Sequence, residues 1–306
     1  MNDEPGDGPG FRSGFVAIVG RPNVGKSTLC NRMVGHKVSI VSDKPQTTRT
    51  QVRGVRTTAT TQIVFLDTPG VHKPRTLLGE RANDRALVTL AEVDAVCFVI
   101  EANAPIGRGD GFVAARLAAV DTPVVLAVNK IDAAAHEAVG AQLARAAAEL
   151  GDFAAYVPVS ARTGAGVDAL VAECEARLPE GPHYYPPGTT SDQPESALAA
   201  EFLREQLLAT AREELPHAIA VTADEFEERT TAAGEPLLAF RLVVAVERAS
   251  QKGIVIGRQG AALKAAGTAA RRELEALFGT KVHLETRVKV DPDWQRRAGS
   301  LDRLGL

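Results

Sequence analysis

The sequence contains few cysteines and lacks the long apolar runs of a membrane protein. Its three cysteines, Cys30, Cys97 and Cys174, lie far apart in 306 residues. Their odd number and wide spacing argue against a disulfide framework or a metal cluster and favour reduced thiols. Without an uninterrupted apolar run of about 18 residues, a membrane-spanning helix is not expected. We therefore expect a cytoplasmic protein, and leave open only a peripheral association with the inner face of the cell membrane.

An excess of charge of either sign is also missing. The 35 basic and 38 acidic side chains leave a net charge of −3. Any nucleic-acid contact must therefore come from a local basic patch and not from the chain average. Residues 1–13 are polar and rich in glycine and lack the apolar segment of a secretory signal, so we expect a disordered leader there. The remaining length is sufficient for two domains.

The most informative stretch is a phosphate-loop motif at residues 20–27, Gly-Arg-Pro-Asn-Val-Gly-Lys-Ser. It lies between a predicted strand at 15–19 and a predicted helix at 28–35, so its N–H groups can surround a phosphate chain. Lys26 can then reach the β- and γ-phosphates, and the Ser27 hydroxyl can ligate magnesium. The alternative, a chance glycine turn, is disfavoured by the complete motif. The expected nucleotide contacts are Gly20, Arg21, Pro22, Asn23, Val24, Gly25, Lys26, Ser27 and Thr28.

Two later stretches provide candidate contacts for magnesium and the γ-phosphate. The polar loop at 38–53 contains Thr47 and Thr48, either of which can complete a magnesium shell, although a solvated loop is the alternative. A predicted strand at 62–66 leads into Asp-Thr-Pro-Gly at 67–70. Asp67 can hold the magnesium water shell and Gly70 can bring its N–H to the γ-phosphate, unless this is a plain β-turn. The candidate contacts in this motif are Asp67, Thr68, Pro69 and Gly70.

A further motif, Asn-Lys-Ile-Asp at 129–132, follows a predicted strand at 123–128. The Asp132 carboxylate can accept from N1–H and the 2-amino group of guanine, whereas adenine would leave it unpaired, which discriminates by ~10⁴ or more. We expect Asn129 to support the loop and the base edge, and the Lys130 stem to cover the base face. The main-chain N–H groups of Ser160 and Ala161, after a strand at 156–159, can donate to the guanine carbonyl.

The arrangement of these motifs predicts the fold class. Strand, loop and helix alternate through residues 15–178, and each motif follows a strand. This pattern is typical of an α/β domain with a mostly parallel, doubly wound sheet that binds ligands at the carboxyl ends of its strands. The proline-rich segment after Leu178 has the composition of a linker. We place the leader at 1–13, the first domain at 14–178, the linker at 179–195, the second domain at 196–290 and a C-terminal tail at 291–306.

The second domain carries a Gly-Arg-Gln-Gly loop at 257–260. The predicted order is a helix at 196–215, strands at 218–229 and 237–248, a short helix, the loop, a helix at 261–278 and a strand at 281–290. A G-x-x-G loop between two helices is typical of a KH domain, in which the glycines let the backbone lie against nucleic-acid phosphates. Base stacking is not expected, because the phenylalanines lie in apolar runs typical of a core; they are Phe202, Phe226, Phe240 and Phe278.

Charge is divided unevenly within this domain. Residues 197–247 hold four basic and ten acidic side chains, a net of −6, whereas residues 248–289 hold nine basic and three acidic, a net of +6. The basic half contains the loop, as phosphate neutralisation requires. The alternative is that two oppositely charged faces help the domain to pack on its neighbour. The expected RNA contacts are Lys252, Gly257, Arg258, Gln259, Gly260 and Lys264.

The order of these motifs, over residues 14–290, resembles that of the Era family of bacterial GTPases. The resemblance implies a Ras-like P-loop NTPase domain followed by an α+β type II KH domain, in a monomer that binds GTP or GDP with Mg²⁺. It also implies binding near the 3′ end of 16S rRNA during assembly of the small (30S) ribosomal subunit, with no DNA partner. By similarity, Thr48 is favoured over Thr47 as a magnesium ligand with Ser27 and Asp67. The implied catalytic residues are Lys26, Thr48, Asp67 and Gly70.

Two alternatives and one rate expectation follow. A tandem-domain GTPase would need a second phosphate-loop motif, and none follows Ser27. An RNA-binding module with GTP as a conformational or structural ligand is the other alternative, but intact Lys26 and Asp67 argue against it. Many GTPases orient the attacking water with a glutamine where this chain has Val71, followed by His72. We therefore expect slow intrinsic hydrolysis, with K⁺ held through Asn23, as in similar GTPases, as a candidate source of the missing charge.

Overall fold

The computed structural model describes residues 10–44, 47–70, 76–90, 92–211 and 215–306. The chain divides into two compact units. Among the described residues, the first unit comprises 10–39, 48–70 and 79–192, and the second comprises 40–44, 47, 76–78 and 193–306. In these parts of the chain, no helix combines the length and the apolar character that crossing a membrane requires.

The first unit is organised around a six-stranded sheet. Its strands are β1 (Arg12–Val19), β2 (Val52–Thr57), β3 (Thr61–Asp67), β4 (Ala95–Glu101), β5 (Val124–Asn129) and β6 (Ala155–Pro158). Their spatial order is β2-β3-β1-β4-β5-β6, and only the β2–β3 pair is antiparallel. The predicted mostly parallel sheet is therefore confirmed.

Helices cover both faces of this sheet. They are α1 (Lys26–Val34), α2 (Leu77–Thr89), α3 (Arg108–Leu117), α4 (His136–Glu149) and α5 (Val167–Glu175). Side chains alternate along β1, so that Val16 and Ile18 join the core containing α1 and α5, while Ala17 and Val19 join the core on the other face. The sheet is thus doubly wound, and its carboxyl edge stays open for the loops that carry the motifs.

Three boundaries of the first unit differ from those expected from the sequence. β1 begins at Arg12 and Phe11 stacks on His183 with ring centroids 4.1 Å apart, so ordered structure starts before residue 14. β2 lies partly within the segment predicted as a loop. It is a strand because it pairs with β3, and the pattern of apolar residues in its own sequence did not indicate one. The predicted linker is held along the first unit, since buried Gln62 accepts from the N–H groups of Tyr184 and Tyr185.

The second unit has the element order of a KH domain. Its elements are α6 (Glu195–Thr210), α7 (Leu215–Ala218), β7 (Ala220–Thr230), β8 (Pro236–Val246), α8 (Ala249–Ile256), α9 (Ala261–Phe278), β9 (Lys281–Val290) and α10 (Ala298–Arg303). In the sheet order β7-β8-β9, β8 is antiparallel to β7 and parallel to β9. Helices α6 and α9 share one apolar core with this sheet. The predicted α+β architecture is confirmed.

Segments distant in sequence complete the second unit. Ile40 is 4% exposed and lies in the same core as Phe202. The N–H of Val41 donates to Glu205 Oε1 at 2.8 Å, and Arg204 Nη2 donates to the carbonyl of Thr47. The polar loop predicted at 38–53 is therefore anchored on α6 through residues that the sequence pattern did not distinguish.

The C-terminal tail is also part of this unit. Trp294 is fully buried and donates from Nε1 to the Ala218 carbonyl at 3.0 Å. It packs in one cluster with Leu78 and with Leu301 of α10. The residues after β9, for which the sequence offered no role, thus contribute a second small core.

Candidate functional site

The phosphate loop lies between β1 and α1, and Lys26 is the first residue of the helix. Gly25 has a φ of 96°, and a Cβ at this position would lie 2.5 Å from Asn129 Nδ2. A side chain would displace Asn129, which donates to the Val24 carbonyl at 2.8 Å. Lys26 is 6% exposed and donates from Nζ to the Arg21 carbonyl at 3.1 Å. The loop therefore has the close packing that holds N–H groups and a lysine around a phosphate.

Three oxygen-bearing side chains converge beside this loop. Ser27 Oγ lies 2.9 Å from Thr48 Oγ1, which lies 3.4 Å from Asp67 Oδ2. Asp67 is fully buried, and its Oδ1 has no hydrogen-bond partner within the described ranges. A buried carboxylate oxygen without a donor, next to two hydroxyls, fits a hard cation such as Mg²⁺. The structure thus brings together the three side chains predicted as metal ligands.

The neighbouring Thr47 is not part of this group. Its Oγ1 donates to the Lys44 carbonyl at 2.6 Å. Among the residues that can be described, no group of three or more His, Cys, Asp or Glu side chains could hold a metal ion. A cation beside Asp67 would therefore complete its shell with phosphate oxygens and water, as Mg²⁺ usually does.

Burial changes the charge states at the site. Desolvation lowers the pKa of Lys26 to about 8, although the nearby Asp67 carboxylate raises it. Burial also raises the pKa of Asp67, against the hydrogen bond of Ser27 and the charge of Lys26, which lower it. An anionic phosphate beside Lys26 and a cation beside Asp67 would each favour the charged form.

The rest of the Asp-Thr-Pro-Gly motif packs against the phosphate loop. Thr68 is buried and donates from Oγ1 to the Ile18 carbonyl at 2.8 Å. Pro69 is also buried. Gly70 approaches Pro22 so closely that a Cβ would lie 2.9 Å from the Pro22 Cα. The predicted γ-phosphate motif therefore adjoins the predicted phosphate loop.

Some positions of the sequence argument lie outside the described residues. They are Pro45 and Gln46 of the threonine loop, and Val71 and His72 after Gly70. The expectation of slow hydrolysis, which depends on Val71, stays a prediction. The remaining predicted phosphate-loop positions are described: Gly20 begins the loop directly after β1, Asn23 is exposed with a φ of 66°, and Thr28 lies half-buried in the first turn of α1.

The base motif is held by contacts between loops. Asn129 Oδ1 accepts from the Ala161 N–H at 3.0 Å, while its Nδ2 donates to the phosphate loop. Lys130 Nζ donates to the Asn23 carbonyl at 2.8 Å. Asp132 accepts from Ser160 Oγ at 2.5 Å and pairs with Arg162. The Ser160 hydrogen bond and the Arg162 charge lower the pKa of Asp132, so this carboxyl is ionised at neutral pH and can accept from a base.

The expected contact of the Ser160 and Ala161 N–H groups with a guanine carbonyl stays a prediction. Within the chain, the Ser160 N–H donates to the Ala165 carbonyl at 2.8 Å and the Ala161 N–H donates to Asn129. The turn after β6 and the amide of Asn129 engage both groups, a contact that a linear motif does not reveal.

Two acidic residues that sequence reasoning missed adjoin the nucleotide motifs. Arg21 was predicted to contact nucleotide, but its guanidinium pairs with Glu101 at the end of β4 and, from Nε at 3.2 Å, with Asp110 of α3. Lys130 also pairs with Glu101. Neither carboxylate belongs to a short recognisable motif, so only their positions at the carboxyl edge of the sheet would have indicated them.

The second candidate site is the Gly-Arg-Gln-Gly loop between α8 and α9. Gly257 ends α8 with a φ of 72°, and Gln259 and Gly260 also have positive φ values of 53° and 80°. Arg258 and Gln259 are exposed, and Lys252 lies half-buried on α8. The predicted loop residues therefore form one exposed turn with its main chain accessible.

A groove of about 520 Å³ lies beside this turn, between α9 and β9. Gly260 and Lys264 line it, with the aliphatic side chains of Leu263, Val282 and Leu284. Of the residues that line the groove, only Gly260 and Lys264 were predicted from the sequence as RNA contacts. Phe202 and Phe240 are buried as predicted, whereas Phe226 is 37% exposed and stacks on Phe240 with centroids 4.9 Å apart. The other polar residues lining the groove are Thr268, Arg271, His283 and Thr286.

Ion pairs divide the basic half into two groups. On β9, Lys281 lies 3.8 Å from Glu235 and Arg287 pairs with Asp224, so each of these two cations has an acidic partner within the unit. By contrast, no ion pair involves Lys252, Arg258 or Lys264 in the described part of the chain. Their charges are available to phosphates.

Both units of the chain contain a segment that matches a known protein family. Residues 15–130 match the family described as 50S ribosome-binding GTPase, and residues 214–295 match the KH domain family. GTPase Era of Mycolicibacterium paratuberculosis is 49% identical over 298 residues, which cover 97% of this chain and 99% of that protein. GTPase Era of a Nocardioides species is 48% identical and the match covers the whole of this chain and 99% of the relative.

Solved structures extend the similarity to the fold. A crystal structure of Era in complex with MgGDPNP and nucleotides 1506–1542 of 16S ribosomal RNA matches with a TM-score of 0.92 at 38% identity, over 96% of this chain and 99% of that one. An Aquifex aeolicus Era variant bound to GDP and AlF₄⁻ matches with a TM-score of 0.91 at 38% identity and the same coverage. With this identity and coverage along the whole chain, the protein belongs to the Era family of GTPases.

Proposed function

We propose that this GTPase binds GTP and GDP with Mg²⁺, hydrolyses GTP, and binds the 3′-end region of 16S rRNA during assembly of the small ribosomal subunit. The observation that carries the proposal is the convergence of Ser27, Thr48 and Asp67 beside the buried Lys26. A solved Era relative binds both MgGDPNP and 16S rRNA, and it is similar to this chain over 96% of the length.

The proposed roles in hydrolysis follow from where each side chain lies. With nucleotide bound, Lys26 would place its ammonium at the β- and γ-phosphates, and Gly70 would bring the main chain to the γ-phosphate. Ser27, Thr48 and Asp67 hold Mg²⁺, directly or through water. The bound metal would neutralise charge that develops on the transferred phosphoryl group. The chain itself contributes orientation and a buried, preorganised electrostatic environment.

Base selection is proposed to depend on Asp132. Its carboxylate accepts the N1–H and 2-amino donors of guanine, and its lowered pKa keeps it an acceptor at neutral pH. Adenine has neither donor and would leave the carboxylate unpaired. Asn129 and Lys130 keep the base loop attached to the phosphate loop by the contacts to Val24 and Asn23.

RNA binding is proposed for the loop at 257–260 and the groove beside α9. The cations without an ion pair among the described residues, Lys252, Arg258 and Lys264, would neutralise phosphates, and the aliphatic groove would receive bases. The choice of the small subunit follows the solved Era relative bound to nucleotides of 16S ribosomal RNA, which matches 96% of the chain, and not the description of the family that matches residues 15–130.

Two further proposals concern ions and location. K⁺ held near the exposed Asn23 would supply charge that Val71 cannot, and would make hydrolysis faster in K⁺ than in Na⁺. A cytoplasmic location, with peripheral association at the inner face of the cell membrane, stays a proposal from the family resemblance.

The test is GTP hydrolysis by the full chain in K⁺ or Na⁺ buffers, with and without small ribosomal subunits. We expect Mg²⁺-dependent turnover that is slow alone, faster in K⁺ and stimulated by the subunits. Tight GTP binding without turnover under any of these conditions would favour the alternative, an RNA-binding module with a structural nucleotide. Equal rates in K⁺ and Na⁺ would reject only the proposal for K⁺.

A further inference from the structure

A single carboxylate connects two loops of the nucleotide site. Glu101 is the last residue of β4 and lies opposite Asn129 in the parallel β4–β5 pair. Its Oε2 pairs with Arg21 of the phosphate loop, and its Oε1 pairs with Lys130 of the base motif. The Glu101 side chain is only 12% exposed, whereas those of Arg21 and Lys130 are 28% and 36% exposed, so the carboxylate is the buried partner in both pairs.

Each cation that binds Glu101 also contacts the phosphate loop or its support. Lys130 Nζ donates to the Asn23 carbonyl at 2.8 Å. The Arg21 carbonyl accepts from Lys26 at 3.1 Å, and the Arg21 Nε lies 3.2 Å from Asp110, whose side chain is 2% exposed. Displacing either cation would therefore move main chain that is predicted to surround the phosphates.

The position of Glu101 is itself well determined. Gln142 Nε2 donates to the carbonyl of Glu101 and to that of Ala104, each at 2.9 Å. The N–H of the following Ala102 donates to the Asn129 carbonyl at 2.7 Å. The carboxylate thus projects from a fixed main chain, which allows it to hold two flexible cationic side chains in one geometry.

We infer that Glu101 is a positioning residue that couples the phosphate loop to the base-binding loop by holding Arg21 and Lys130 on its two oxygens. Glu101, together with Asp110, holds the Arg21 guanidinium away from the phosphates. It also fixes the position of the Lys130 side chain, whose stem is proposed to cover the base. The inference rests on the proposed guanine nucleotide binding. It assigns Glu101 to nucleotide retention and not to the chemical step.

The first test is the dissociation rate of fluorescent mant-GDP from the full chain. Glu101→Gln keeps the shape and removes the charge, and we expect dissociation to be about tenfold faster. The rate of hydrolysis at saturating GTP should change less than about twofold, since the interaction removed is one of binding. The matched control is Glu149→Gln, an exposed α4 residue that lies 3.9 Å from Arg145, and it should leave both rates unchanged.

The second test distinguishes coupling from a general loss of structure. Arg21→Gln and Lys130→Met each break one end of the connection, so the second substitution has less left to disrupt once the first is made. The dissociation rate of mant-GDP from the double variant should therefore be about fivefold lower than the rate obtained by multiplying the two single fold-increases. In the Glu101→Gln background the connection is already absent, so the fold-increases in dissociation rate caused by Arg21→Gln and Lys130→Met should multiply. This cycle also serves if Glu101→Gln does not fold, because it can be measured with Glu101 intact.

The outcomes separate this inference from the proposed function. Wild-type chain that does not bind mant-GDP would reject the proposed function. Wild-type binding with unchanged dissociation from Glu101→Gln, or multiplicative effects of Arg21→Gln and Lys130→Met with Glu101 intact, would overturn the role of Glu101 alone. Loss of kcat in proportion to the faster dissociation would also overturn it, because that would place Glu101 in the chemical step.

Discussion

Adjacent residues can have unrelated roles, and the two threonines of the polar loop illustrate this. Thr48 Oγ1 lies 2.9 Å from Ser27 Oγ, whereas Thr47 Oγ1 donates to the Lys44 carbonyl at 2.6 Å. The two hydroxyls therefore have different partners, and only that of Thr48 lies beside both Ser27 and Asp67. The geometry favours Thr48, as the family resemblance did.

This difference predicts unequal effects of the two alanine variants. Thr48→Ala should lower Mg²⁺-dependent GTP hydrolysis roughly 10- to 100-fold and raise the Mg²⁺ concentration required, because it removes an oxygen from the metal's surroundings. Thr47→Ala is the matched control and should stay close to wild type. The measurement is hydrolysis across a Mg²⁺ titration. A larger loss in Thr47→Ala would reverse the assignment.

Base selectivity is a second property that depends on one side chain. Asp132→Asn should weaken GTP binding and favour xanthosine nucleotide, because the 2-carbonyl of xanthine would meet an amide donor where guanine has an amino group. Competition between GTP and XTP for mant-GDP-loaded protein measures this preference. Asp121→Asn, at an exposed position, is the control. A variant that still prefers GTP would show that Asp132 does not contact the base.

At the scale of elements, the anchoring of the polar loop on α6 has a measurable consequence for stability. Ile40 is 4% exposed in the core of the second unit, while the next residue, Val41, is 40% exposed. Ile40→Ala should lower the free energy of unfolding by about 2–5 kcal/mol, because it leaves a cavity in the core. Val41→Ala should change it by less than about 0.5 kcal/mol. Urea unfolding followed by Trp294 fluorescence checks both, and equal small effects would contradict the anchoring.

In the loop between α8 and α9, the effect of an added charge on RNA binding can be measured separately from the effect of backbone strain. Gly257 is a poor test position, because a Cβ there would lie 2.7 Å from that of Ala262. Gly260 has a φ of 80° and nothing within 4 Å of a Cβ. Gly260→Asp should therefore weaken RNA binding through the carboxylate, and Gly260→Asn, equal in size and tolerant of positive φ, should weaken it far less.

The measurement is binding of an oligonucleotide matching the 3′ end of 16S rRNA at several salt concentrations. Removing Lys252, Arg258 or Lys264 should reduce the salt slope by about one for each phosphate that the variant no longer neutralises. Arg229→Ala, on β7 and paired with Glu227, is the control for a cation outside the loop. Unchanged RNA affinity in Gly260→Asp would favour the alternative, in which the basic residues at 248–289 serve packing and not RNA binding.

At the scale of the molecule, the C-terminal tail should be required for stability. Trp294 is the only tryptophan of the chain and is fully buried. Trp294→Ala should lower the free energy of unfolding by about 3–5 kcal/mol, while Arg296→Ala, at an exposed position in the same turn, should have little effect. Urea unfolding followed by circular dichroism compares the two variants. Equal stabilities would mean that the tail does not contribute to the core.

The sequence by itself determined the elements and sites that depend on local pattern. The phosphate loop needs glycines, a lysine and a hydroxyl within eight residues, because main-chain N–H groups and two side chains provide its chemistry. Helix α9 and strand β9 have the predicted bounds, Ala261–Phe278 and Lys281–Val290, because their periodicity and flanking turn residues are local. The α/β class of the first unit follows in the same way from alternating strands and helices.

Only the tertiary structure decided features that depend on contacts between distant residues. β2 is a strand because β3 offers hydrogen bonds, and Ile40 is buried because α6 and the KH-like sheet offer an apolar core. Glu101 lies 80 residues from Arg21 in sequence, and a carboxylate at the end of a strand has no distinctive pattern. Such pairings depend on the register and order of the strands, which local propensity and spacing do not encode.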